Sequence, residues 1–114
     1  MPEESTTQAI DNAARMLRND LARTCGASPA AAGALETALA GRRTWVDAWP
    51  EGAEHVPGLV AQDVQEIIHA SIDDRWPVCP EHLDHPLFIE PDLGPDPFWV
   101  CDRSGLPVAP VGGL

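Results

Sequence analysis

Cys79, His82, His85 and Cys101 are the residues of this sequence whose types and spacing could do chemistry. Two residues separate Cys79 from His82, two separate His82 from His85, and fifteen lie between His85 and Cys101. Ligands three apart in a tight turn can face one ion, and a further ligand must then arrive from a distant strand end. Thiolate and neutral imidazole are the usual ligands of zinc, which accepts tetrahedral geometry. Two thiolates and two neutral imidazoles also balance the charge of one divalent zinc. Iron is the other metal that such a sulfur-containing tetrahedral site can hold. The alternative needs no metal. Free cysteine is among the most buried residue types, so Cys79 and Cys101 would be small core hydrophobes and the two histidines surface residues.

Around these residues, positions from about 76 to 112 resemble a zinc ribbon. In that class two knuckles, typically Cys-Pro-x-Cys-Gly, each offer two ligands from the tips of β-hairpins. Cys79-Pro80-Glu81-His82 is similar to the first knuckle, with His in place of the second Cys. Cys101-Asp102-Arg103-Ser104-Gly105 is similar to the second, with Ser104 where the fourth ligand would stand. A serine hydroxyl is a poor zinc ligand, and His85 is the expected substitute, with the identity of the fourth ligand left open. The same stretch, with Trp76-Pro77, Trp99 and Gly112, is also similar to small zinc-binding proteins of high-GC bacteria. The resemblance implies a structural zinc and no activity. If His85 does not bind, water completes the site, and Glu81 or Asp84 could then act on it as a general base in a small metal-dependent hydrolase. No zinc-protease His-Glu-x-x-His, deaminase motif, phosphate loop, dinucleotide fingerprint or nucleophile elbow occurs, so no catalytic or organic-cofactor residues are assigned.

The chain has 114 residues, one domain's worth, with seven Arg and no Lys against eighteen Asp and Glu. A net charge of −11 excludes bulk electrostatic gripping of nucleic acid. No apolar run approaches the ~18 residues of a membrane helix. Met1 to Gln8 lack the basic start and apolar middle of a secretory signal, so the cytoplasm is the expected compartment. Three cysteines in a reduced setting point to packing, metal or chemistry rather than staples.

These ligands need elements to hold them. Four prolines fall in residues 1–72 and eight in 73–114, which divides the chain into a helical region (1–72) and a ribbon-like metal-binding region (73–114) within one compact unit. A first helix is expected over Thr6–Thr24, with Ser5 and Gln8 as a capping box, Ile10, Ala13, Ala14, Leu17 and Leu21 as the apolar stripe, and Gly26 as the stop. A second is expected over Ser28–Ala40, with Ser28 as N-cap, Pro29 at the first position and Gly41 just past the end. Thr44 and Asp47 would open a short turn carrying Trp45 and Trp49. A third helix fits Pro57–Ile72, with Val60, Val64, Ile67 and Ile68 inward. Leu87–Ile89 and Phe98–Val100 read as strands of a hairpin, and Leu106–Val111 as a third strand that Pro107 and Pro110 demote to an edge.

Of the remaining residues, Cys25 is expected to be a packed or idle thiol, and His55 a solvated loop residue. His69 is expected to be exposed, or to reach the metal if its helix packs on the ribbon. Arg42-Arg43 would cap the carbonyl end of the second helix. The four tryptophans would join ribbon to helices or form a binding surface. The expected protein is therefore α+β, with zinc held by Cys79, His82, His85 and Cys101. It would act through a protein partner or self-association, with no nucleic acid and no membrane. An accessory subunit stable only with its partner is a further possibility.

Overall fold

The computed structural model describes residues 2–91 and 93–114, with side chains from Thr6 onward. Three helices form the N-terminal part: α1 (Pro2–Cys25), α2 (Pro29–Ala48) and α3 (Val56–Ser71), the last two joined by a 3₁₀ segment, Pro50–His55. A three-stranded antiparallel sheet ends the chain: β1 (Phe88–Glu90), β2 (Phe98–Val100) and β3 (Pro107–Pro110), in the order β1-β2-β3. The fold is α+β, as the pattern of helical and β-prone runs predicts.

Each helix forms because its apolar residues recur on one face. Ile10, Ala13, Leu17 and Leu21 of α1, Ala31, Ala34, Leu35 and Ala38 of α2, and Val60, Val64 and Ile68 of α3 are all buried in one cluster. Fully burying a side chain such as Val64 or Ile68 contributes roughly 1.5–3 kcal/mol. Gly26 ends α1 in a left-handed conformation, φ 62°. The helix begins before the expected Thr6. The Ser5–Gln8 capping box rests on a Ser5 side chain that lies outside the described residues.

α2 starts as expected. The Ser28 hydroxyl accepts from Ala31 N at 3.2 Å, and Pro29 occupies the first position. It does not stop at Gly41, however, and no separate turn forms at Thr44. A mid-helix glycine costs only about 1 kcal/mol, and the residues beyond it are well anchored. Val46 is buried, and Arg42 forms a two-pronged ion pair with Asp63 of α3 at 2.6 and 3.0 Å. Arg42 therefore joins two helices instead of capping one. The true end is Trp49, whose N–H reaches Trp45 O and Val46 O ahead of Pro50.

The sheet has two different faces. Its register pairs Ile89 with Trp99 and Trp99 with Ala109, and Ile89 and Trp99 are buried against the helices. The other face carries Phe88, Glu90, Phe98 and Val100, and β3 is an edge, as its two prolines require. The buried cluster runs without a break from Ile10 to Val111, so helices and sheet share one core.

Candidate metal centre

Cys79, His82, His85 and Cys101 meet. One ligand atom from each lies within 4.8 Å of all the others. Cys79 Sγ is 3.4 Å from His82 Nδ1, His82 Nδ1 is 3.0 Å from His85 Nε2, and Cys101 Sγ lies 3.5 Å from His82 Nδ1 and 3.8 Å from His85 Nε2. A tetrahedron with metal–nitrogen bonds of about 2.0–2.1 Å and metal–sulfur bonds of about 2.3 Å has edges of roughly 3.3–3.8 Å. Three of these four edges fall in that range and the nitrogen–nitrogen edge is shorter, so these four side chains could hold a metal ion.

Two turns of similar backbone present the cage. In the first, Leu83 N donates to Cys79 O at 2.9 Å; in the second, Gly105 N donates to Cys101 O at 2.8 Å. Both donors sit four residues after the cysteine in the left-handed region, Leu83 at φ 65° and Gly105 at φ 73°. The first turn closes through Cys79 N to His85 O, the Val78–Pro86 bridge and Leu87 N to Pro77 O. The second closes through Cys101 N to Leu106 O and links β2 to β3. Asp84 of one turn and Arg103 of the other form an exposed ion pair at 3.0 Å. That bond, first of all, holds the Asp84 carboxyl below its usual range.

Groups around the cage set its protonation. His85 Nδ1 donates to Pro86 O at 2.9 Å and lies 3.2 Å from Asp102 Oδ1. With the proton there, the Nε2 lone pair points into the cage. The Cys101 thiol is lowered from its ordinary value to about 6, chiefly by the Ser104 hydroxyl and then by the Ser104 backbone N–H; desolvation opposes them, and Arg103 N–H and Cys79 add to them. Ser104, at the position where a fourth ligand was expected, is therefore the residue that most favours the thiolate form of Cys101. Its oxygen also accepts from Leu106 N at 3.2 Å.

The helices hold this unit through residues whose role the sequence did not reveal. Gln65 Nε2 donates to Trp76 O and Leu87 O, at 3.2 and 2.6 Å, so α3 grips both ends of the first turn's base. His69 Nε2 lies 2.6 Å from the same Trp76 carbonyl. It neither reaches the cage nor stands free. Asp20 of α1 is fully buried and accepts from Trp99 Nε1, Gly112 N and Leu114 N at 2.8, 2.7 and 2.9 Å. A carboxylate three residues after Leu17, on the apolar stripe itself, was the available signal.

Trp76 and Trp99 stack edge-to-face at 5.5 Å where sheet meets helices, and Trp76 Nε1 donates to Thr24 Oγ1 at 2.8 Å. Trp45 and Trp49 pair elsewhere, at 5.2 Å beside the 3₁₀ segment, and do not bridge to the ribbon. His55 belongs to that segment and is not a solvated loop residue: it lies 6.2 Å from Trp49 and 3.8 Å from Glu54, with its side chain 22% exposed. Cys25 is half-buried, 3.7 Å from Thr24 Oγ1 and outside the cage. Glu81 is exposed. No helix among the described residues is long and apolar enough to cross a membrane.

Fold and site together define a small α+β protein with a two-thiol, two-imidazole cluster. The chain belongs to the family described as Domain of unknown function (DUF8819), whose model matches residues 6–111. No curated protein and no solved structure matches it.

Proposed function

We propose that this is a small zinc-binding protein of zinc-ribbon type, in which the metal is structural and the work is protein interaction. The observation that carries the zinc reading is the convergence of four donor atoms within 4.8 Å. Four lone-pair donors aimed at one point repel each other unless a cation lies between them. A shared proton serves one pair, whereas a tetrahedral cation serves all four. Zinc suits two thiolates and two imidazoles, leaves the site neutral and has no redox chemistry to control. The paired backbone turns, each with its fifth residue left-handed, support the ribbon likeness. Reduced thiols as ligands are in keeping with a cytoplasmic setting.

Two features favour a closed structural site over an open one with Glu81 as base. Four protein donors fill a tetrahedron, and Asp84, the other nearby carboxylate, is engaged by Arg103. Metal analysis and an X-ray absorption spectrum at the zinc edge test the proposal. The expected result is about one zinc per chain with two sulfur and two nitrogen neighbours. Purified protein without metal would overturn it, and a three-ligand zinc with a bound water would favour the hydrolase.

A further inference from the structure

The outer face of the sheet is apolar and has no covering element among the described residues. A groove of about 660 Å³ runs across it, lined by Phe88, Glu90, Pro91, Phe98, Val100 and Pro107 among others. Apolar exposure concentrates in the C-terminal part of the chain. Leu83, Leu93, Phe98, Leu106 and Val108 are 65, 54, 37, 62 and 36% exposed, and of these Phe98 lines the groove, whereas the helical part exposes only Trp49 and Ile72 among its described large hydrophobics. Scattered apolar residues are ordinary on a surface, but a groove walled by Phe88 and Phe98 over a buried Val100 on one sheet face offers an interaction site.

Charge narrows the occupant. Residues 73–114 carry eight carboxylates and two arginines. Both arginines are already paired, Arg75 with Asp73 and Arg103 with Asp84. Glu90 is exposed in the wall of the groove and has no cationic partner among the described residues. A second copy of the chain would bring another net charge of −11 to this surface. A basic partner would relieve the repulsion and could pair with Glu90. The mode of docking follows from the edge. Pro107 and Pro110 of β3 have no N–H to offer, which disfavours extension of the sheet at that edge, while the groove lies on the sheet's face and takes side chains there.

We infer that the outer face of the sheet docks a short protein segment that places an aliphatic or aromatic side chain in the Phe88–Phe98–Val100 groove and an Arg or Lys against Glu90. This inference rests on the interaction role proposed above and supplies the partner's chemistry. The experiment is selection of random displayed peptides of about a dozen residues against the metal-loaded full chain, followed by anisotropy titration of the enriched peptides. Enrichment of Arg or Lys beside Leu, Phe, Met or Trp is expected. Phe98→Ser and Glu90→Lys should each weaken binding by about tenfold or more, while Arg18→Glu, in the separate groove between α1 and α2, should leave it unchanged. Glu90→Lys is a surface change, so its effect does not depend on Phe98→Ser folding well.

Absence of enrichment, selection of acidic peptides, or affinity unmoved by Glu90→Lys would each overturn the inference. So would a dimer in sedimentation that Phe98→Ser abolishes, because a second copy would then be the occupant. Metal content measured on the same samples separates the two proposals. Intact zinc with unmoved affinity removes the docking face alone, whereas a metal-free wild-type chain removes the zinc reading.

Discussion

At the scale of single residues, the cage depends on its sulfurs being thiolates. Structural zinc supplies folding free energy directly, with apparent binding free energies of ~10 kcal/mol or more in small domains. Cys101→Ser should therefore abolish metal binding and lower the melting temperature by more than about 10 °C, as scanning calorimetry would show. The sulfur's surroundings add a pH dependence that is clearest without metal. In the folded chain the Cys101 thiol titrates at about 6, with the Ser104 hydroxyl as the largest cause; unfolded, it titrates near ~8.5. Between those values the unfolded chain binds more protons, so stability must rise with pH across that window. It is complete above the unfolded value and lost as pH falls through about 6. Denaturant midpoints of the metal-free chain should climb accordingly, and Ser104→Ala should flatten the climb. A midpoint independent of pH would refute the assignment. The four residues of the cage were legible in the sequence because Cys and His at turn spacing have few other uses in so proline-rich a stretch. Ser104's effect on the thiol was not legible, since a hydroxyl three residues from a cysteine reads equally well as an idle turn residue.

At the scale of elements, centres were legible and ends were not. The buried stripes of α1, α2 and α3 follow directly from their 3.6-residue periodicity. α2 outran Gly41 because Val46 and the Arg42–Asp63 ion pair, contacts remote in sequence, outweigh one residue's propensity. The position should still carry its intrinsic cost. A Cβ built at Gly41 meets nothing within 4 Å. Gly41→Ala should thus raise stability by about 0.5–1 kcal/mol, read from the urea midpoint. Gly52 should behave in the opposite way. A Cβ there would lie 2.5 Å from Trp49 Cε3 and 2.6 Å from Trp45 Cη2, two rings packed edge-to-face. Gly52→Ala must push those rings apart, at a cost of ~1–3 kcal/mol. Near-UV circular dichroism, sensitive to the tryptophan pair, would register the disturbance. Equal responses at the two glycines would show that backbone entropy, not the space around each Cβ, governs both.

At the scale of the whole molecule, the question is whether the metal proposed for the cage would hold only the tail or the entire fold. The buried cluster spans helices and sheet, and the joint between them is polar as well as apolar. Asp20 of α1 takes three N–H groups from β2 and the C-terminal residues, while Gln65 and His69 of α3 hold the backbone at Trp76 and Leu87. A forty-two-residue tail with eight prolines forms so little regular structure that it leans on these contacts, and they lean on it in return. Asp20→Ala would leave three N–H groups without their acceptor, costing about 2–4 kcal/mol even with zinc bound. Removing the metal should act at the same joint from the other side. Once the two turns separate, Trp99 loses its fixed place beside Trp76 and Asp20, and the inner faces of α1 and α3 lose their cover. Chelation is thus expected to lower the thermal transitions of helical circular dichroism and tryptophan fluorescence together, as one cooperative event. Helices that melt at an unchanged temperature while fluorescence shifts would mean that the metal knits the ribbon alone. The Asp20, Gln65 and His69 contacts would then be consequences of the helical fold rather than conditions of it.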